Sequence, residues 1–321
     1  MPRRTLEETL EALSRLRDGP ITDDGIEELR RAIRSKSSFA AARAAEIAGE
    51  RGIATLATDL AAAFERFLVD PLKNDKACRA KIAIADALLR LDADATDVFL
   101  RGARHVQLEP VWGGKADTAI ELRSISAAGL VQSGYPDAPA ELALLLADEA
   151  APVRGAAARA IGCTTPHAGV PILRYKALIG DEDPLVVSEC MGGLLNLDPE
   201  GSIPFVAGFL DRPDLADLAA IALGASRRIE AFPVLKSWLD RTDDPQRRRA
   251  GFLAIATLRH DEAIDFLFEI IESADAQTAV LVVGALEIFF DDERFRDRVR
   301  EAVKKRGGLR LPQEIEEQLA G

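Results

Sequence analysis

Chemistry in a chain needs nucleophiles, acid–base groups or metal ligands at workable spacings, and this one holds few of them. Its 321 residues include three histidines, His105, His167 and His260, and three cysteines, Cys78, Cys163 and Cys190. None of these has a His or Cys neighbour at ligand spacing, so no metal site and no cofactor is expected. No nucleophile or paired carboxylate accompanies His105, and no catalytic residue is assigned. Unusual residue types concentrate instead between Arg101 and Asp117, in RGARHVQLEPVWGGKAD, which carries one of two tryptophans and a Gly-Gly pair. The chemistry available there is recognition. Trp112 offers the large rigid area that anchors interface hot spots, and Arg101, Arg104, His105 and Glu109 offer polar contacts. Read structurally instead, Trp112 plugs a gap between neighbouring elements, and Gly113-Gly114 is the turn before Asp117 or Thr118 caps a helix.

The elements that position this segment are announced by proline. Pro139, Pro171, Pro204 and Pro233 are 32, 33 and 29 residues apart, and Pro152, Pro184, Pro213 and Pro245 are 32, 29 and 32 apart. Two prolines per period, each followed by about a dozen residues with apolar positions at three- and four-residue steps, predict helix pairs with proline in the first turn. Asp183 and Asp244 stand directly before proline, where a carboxylate caps free backbone N–H groups. One such pair exposes an apolar stripe that only a neighbour can cover, so the units must stack. The sequence is 48% apolar but only 5% aromatic, which suits closely approaching helices built from Ala, Leu, Ile and Val.

The unit from Tyr135 to Gly162, with Asp148-Glu149-Ala150-Ala151-Pro152-Val153-Arg154 as its turn and Ala160-Ile161-Gly162 as its finish, resembles HEAT-like repeats. The turns at Asp181–Pro184, Asp211–Pro213 and Asp243–Pro245 repeat the pattern. The resemblance covers most of the chain and concerns the fold only. It implies an all-α, right-handed alpha-alpha superhelix (alpha-solenoid) of about eight helix pairs in a single domain over 1–321. A polar cap helix is expected at 4–17, repeats at 22–291, and a C-terminal cap and tail at 292–321. Arg79, Arg123, Arg154 and Arg248 share one register position; the resemblance implies pairing with a turn carboxylate such as Asp148, while a ladder along one edge would place Arg123 with the candidate binding residues.

The repeat breaks once. From Cys78 to Leu122 the register advances by 44 residues, against 31 from Leu122 to Val153. The surplus is the segment 101–117, inserted between the two helices of one unit, and insertions in repeat arrays often map to a binding face. Net charge is −12, with 53 acidic and 41 basic residues, which disfavours nucleic acid. The dispersed cysteines, expected to be buried, suit a reducing compartment. No apolar stretch reaches the ~20 residues a membrane span needs, so a cytoplasmic location is expected. The function expected is that of a non-enzymatic scaffold binding a protein or peptide partner on the concave surface of the second helices, with 101–117 contributing specificity. The alternative is a HEAT-like repeat enzyme or ligand binder. Deoxyhypusine hydroxylases use repeated His-Glu pairs, which this chain lacks. A bilin lyase-like activity has no recognisable motif, and a DNA glycosylase-like one would need a basic, aromatic-lined groove.

Overall fold

A computed structural model describes residues 5–320. Arg4, the first residue of the expected cap helix, lies outside them. The chain divides into two compact units, residues 1–164 and 165–321.

In the first unit, α1 (Leu6–Asp18) begins at a reciprocal cap in which Thr5 accepts from the Glu8 amide and the Glu8 carboxylate accepts from the Thr5 amide. It is followed by α2 (Asp23–Ile33), α3 (Ser38–Glu50), α4 (Ala57–Leu68), the single turn α5 (Pro71–Asn74), α6 (Arg79–Arg90) and α7 (Thr96–Ala103). A hairpin of β1 (Leu108–Val111) and β2 (Gly114–Asp117) precedes α8 (Ile120–Gln132), α9 (Ala138–Leu145) and α10 (Ala151–Ile161). The pairs are α2 with α3, α4 with α6, α7 with α8 and α9 with α10, and the second members α3, α6, α8 and α10 stack in succession. Small side chains permit that spacing. Ala40, Ala41, Ala44, Ala45 and Ile47 of α3 are buried, as are Ala80, Ile84, Ala87 and Leu88 of α6. Between α7 and α8 the approach is tighter still: a Cβ built at Gly129 would lie 2.3 Å from the Phe99 ring.

The second unit repeats the plan with α11 (Pro166–Ile179), α12 (Pro184–Leu197), α13 (Pro199–Ala207), α14 (Ala216–Ala225), α15 (Ala231–Asp240), α16 (Pro245–Leu258), α17 (Asp261–Ser273) and α18 (Ala276–Ala285). Here α12, α14, α16 and α18 form the stacked row, α19 (Glu293–Arg306) packs on α17, and α20 (Gln313–Ala320) ends the described chain. Asp183 accepts from the Leu185 amide and Asp244 from the Arg247 amide, so the predicted caps form. Each unit is thus a run of stacked helix pairs, an all-α helical-repeat architecture.

Three sequence expectations need correction. Pro171 and Pro204 do not lie in first turns; each is the sixth residue of its helix, because Pro166 and Pro199 already start α11 and α13. Pro213, also expected in a first turn, lies in the turn three residues before α14 begins at Ala216. Cys163 is exposed just beyond the end of α10, whereas Cys78 and Cys190 are buried. The apolar period around Cys163 ends with α10, so nothing packs over the thiol.

Candidate functional site

The site is built on the hairpin. Its register pairs Leu108 with Asp117, Glu109 with Ala116, Pro110 with Lys115 and Val111 with Gly114, which leaves Trp112-Gly113 as a two-residue turn. Gly113 sits at φ 89°, a left-handed position that glycine supplies at no steric cost. Side chains alternate along β1 and its approach. Gln107 and Glu109 are buried or half-buried, whereas Val106, Leu108 and Val111 are exposed and Trp112 is 103% exposed. The described structure therefore holds an indole in water at the tip of a short ribbon.

What fixes the ribbon is a polar network beneath it. Glu109 Oε1 accepts from the Ala77 amide at 2.6 Å, from Gln107 Nε2 at 2.7 Å and from the Thr118 hydroxyl at 3.0 Å. Gln107 Nε2 also donates to the Asp75 carbonyl at 2.8 Å. Asp75 in turn forms an ion pair with Lys81 at 2.8 Å, both side chains being fully buried, and accepts from the Ala80 amide at 2.7 Å. Lys81 further donates to the Phe67 carbonyl at 3.3 Å. On the opposite strand Asp117 accepts from the amides of Gln107 and Ala119 and pairs with Arg123 at 2.7 Å. The Arg123 guanidinium then reaches both Asp148 oxygens, at 2.8 and 3.1 Å, and the His105 carbonyl at 3.0 Å.

These contacts set the charges. Burial opposes ionisation of Glu109 and Asp117, but the hydrogen bonds of Gln107, Ala77 and Thr118 to the first, and of Ala119 and Arg123 to the second, hold both carboxyls below their ordinary values. Burial pushes the His105 imidazole down, against the hydrogen bond to Gln107, so the ring is neutral. Burial pushes the Cys78 thiol up to about 12, which makes it an inert core residue rather than a nucleophile.

The structure distributes the six sequence candidates over different roles. Trp112 is at the surface. Arg101 pairs with Glu65 at 2.6 Å and Arg104 with Glu141, tying α7 to its neighbours. His105 and Glu109 belong to the network, the former through Nε2 to Gln107 Oε1 at 3.2 Å. Arg123 is 4% exposed and fully engaged, so it supports the hairpin from behind and is not itself a contact residue. Asp148, which the repeat pattern assigned to the arginine register, takes the Arg123 side chain, while Arg154 donates to the Asp148 and Glu149 carbonyls.

Sequence reasoning missed the other half of the base, residues 69–81. The connection from α4 to α6 is itself elaborated: it contains α5 and three non-glycine residues at positive φ, Asp70 (48°), Ala77 (58°) and Cys78 (53°). Left-handed backbone at such residues costs roughly 1–3 kcal/mol each, and at Ala77 the strain turns its N–H onto Glu109. One signal was present. Lys81 falls on the stripe of α6 that also carries Ile84, Ala85 and Leu88, and a lysine on an apolar stripe demands a buried carboxylate. Between this connection and the hairpin lies a cavity of about 540 Å³ lined by Asp70, Pro71, Leu72, Lys73, Val106, Gln107 and Leu108. Val69 and Leu72 are exposed beside it. A second groove of about 570 Å³ runs between α8 and α10 past Arg159 and Cys163. Among the described residues no group of three His, Cys, Asp or Glu is placed to hold a metal ion, and no helix is long and apolar enough to cross a membrane.

No protein-family model matches the chain, and no curated protein matches it. Among solved structures it is similar to the X-ray structure of YibA from Escherichia coli, with 16% identity over 89% of this chain and 99% of that one and a TM-score of 0.47. It is also similar to the complex of CpcE and CpcF of phycocyanin lyase from Nostoc sp., with 16% identity over 90% of this chain and 96% of that one and a TM-score of 0.37. At this level the likeness concerns the helical-repeat fold and transfers no residue of the site.

Proposed function

We propose that this chain is a non-enzymatic interaction scaffold and that the 108–117 hairpin, with the cavity at its base, is its principal contact with a protein partner. The observation that carries the reading is a fully exposed Trp112 on a ribbon whose root is immobilised by Glu109, Asp117 and Arg123. An indole left in water forgoes about 2 kcal/mol or more of burial, and a flexible tip would lose in ordering entropy what it gained in contact. Here the supporting shell is already ordered, so docking costs little beyond rigid-body association. Exposed apolar residues lie on both connections, Val69 and Leu72 on one and Val106, Leu108 and Val111 on the other, and three of them, Leu72, Val106 and Leu108, line the one cavity at the base. Single exposed apolar residues are ordinary, but a contiguous group of this kind marks an interaction site. The adjoining row of α3, α6, α8 and α10 would extend the contact.

Affinity purification from the native host with the full chain and with Trp112→Ala tests this reading. Partners retained by the former and lost from the latter, with unchanged thermal unfolding of the variant, support it. An identical set of partners on both baits overturns the hairpin as the contact.

A further inference from the structure

The charge around the cavity narrows the kind of partner. The chain carries a net charge of −12, yet the two connections that frame the 540 Å³ cavity present Lys73 on the cavity wall, Lys76 three residues on, and Lys115 opposite Pro110 in the hairpin, all exposed. Among the described residues the ammonium group of none of the three takes part in an ion pair or hydrogen bond; Lys76 acts only at a distance on Glu109, whose carboxylate is already committed to Gln107, Ala77 and Thr118. This is unlike Lys81, Arg101, Arg104 and Arg123, each matched to a carboxylate, and unlike Arg79, which lies over the Phe39 ring. The same connections hold one uncommitted carboxylate, Asp70 on the cavity wall, and Asp117 is neutralised by Arg123. Beside Lys73 the cavity walls include Pro71, Leu72, Val106 and Leu108, and the volume falls within the ~300–1,000 Å³ of ordinary recognition pockets.

We infer that the occupant is a peptide segment of a partner protein in which a large apolar side chain is flanked by Asp or Glu, the apolar group entering the cavity beside Leu72 and Leu108 and the carboxylates meeting Lys73, Lys76 and Lys115. This rests on the hairpin being the contact. An apolar anchor supplies affinity and the ammonium groups select against basic and neutral segments, since misplaced like charges at a contact cost far more than well-placed opposite charges gain. Exposed lysines are also entropically free until a partner orders them, which suits selection more than raw affinity.

Random-peptide display on the immobilised full chain, followed by fluorescence anisotropy of the enriched peptides, tests the inference. Enrichment of Asp or Glu around an aromatic or aliphatic residue is expected. Binding of those peptides should fall at least tenfold with Lys73→Ala/Lys76→Ala/Lys115→Ala and weaken steadily between low and physiological salt. Trp112→Ala and Leu72→Ser should also weaken it. Peptides that depend on Trp112 and Leu72 but are neutral or basic, and indifferent to the lysine variant, would overturn the acidic-segment inference and leave the hairpin reading standing. No enrichment, or peptides indifferent to all three variants, would overturn both. All the substituted side chains are exposed, so the variants should unfold at the wild-type temperature, which thermal unfolding checks.

Discussion

Asp75 and Lys81 form a fully buried ion pair, Oδ2 to Nζ 2.8 Å apart, within a connection of only five intervening residues. The pair joins the elaborated turn before α6 to the helix itself, and through the Asp75 carbonyl it reaches Gln107 of the hairpin. It is the point at which two successive irregular connections become one rigid base.

Removing one partner should therefore be costly. Lys81→Met leaves the Asp75 carboxylate buried without its counter-ion and should destabilise the first unit by about 3–5 kcal/mol. Asp75→Asn together with Lys81→Met keeps an acceptor for the Ala80 amide and removes both charges, so it should cost distinctly less. Hydrogen exchange of the α6 amides, compared between the two variants, checks the order. Equal losses would mean that the charges are not coupled.

Acid should loosen the hairpin before the rest of the first unit. The folded state holds His105 neutral, whereas the unfolded chain takes up a proton there as pH falls below about 6.5, so stability begins to decline in that range. Glu109 and Asp117 are depressed in the folded state, so their contribution is complete above the ordinary carboxylate value of about 4 and is lost as pH falls through their lowered values. Thermal unfolding followed from pH 7.5 down to 3 should show both phases. Glu109→Gln should flatten the lower one, and His105→Asn the upper.

The thiols should separate by exposure. Cys163 is open to solvent, while burial pushes Cys190, like Cys78, up to about 12. A thiol reagent at neutral pH should modify one cysteine rapidly and the other two only on unfolding. Rapid labelling of two or three would show that α6 or α12 opens in the native state.

Close helix approach in the second unit can be tested at glycine. A Cβ at Gly224 would lie 2.3 Å from the Ala254 carbonyl oxygen, backbone that cannot step aside cheaply, so Gly224→Ala should destabilise by about 1–3 kcal/mol despite alanine's higher helix propensity. Gly192, in α12, has nothing within 4 Å of a built Cβ, and Gly192→Ala should stabilise by about 0.5–1 kcal/mol. Denaturant midpoints of the two variants should move in opposite directions.

The helical-repeat fold was legible because its signals are local and repeated: proline and aspartate at turns, apolar residues at helical steps. Asp183 and Asp244 cap the helices their positions announce. The site was legible only as an oddity of composition. That Trp112 points into water, and that Arg123 is consumed by Asp117 and Asp148, depends on contacts between residues up to 25 positions apart, which no local period encodes. The 69–78 connection spends ten residues where α2–α3 and α9–α10 spend four and five, but its Asp70-Pro71 reads as an ordinary repeat turn. The strain at Ala77 and Cys78 leaves no mark in residue type, since neither is the glycine that left-handed backbone usually selects.

The central claim concerns Trp112, and one variant measured twice tests it most directly. Because the side chain is fully exposed, Trp112→Ala removes no buried area and should shift unfolding stability by no more than about 0.5 kcal/mol. As an interface anchor, its loss should weaken binding of a partner captured by the wild-type chain by more than about 2 kcal/mol, or roughly thirtyfold in Kd. Unchanged Kd, with or without a loss of stability, would contradict the assignment of the hairpin as the contact surface.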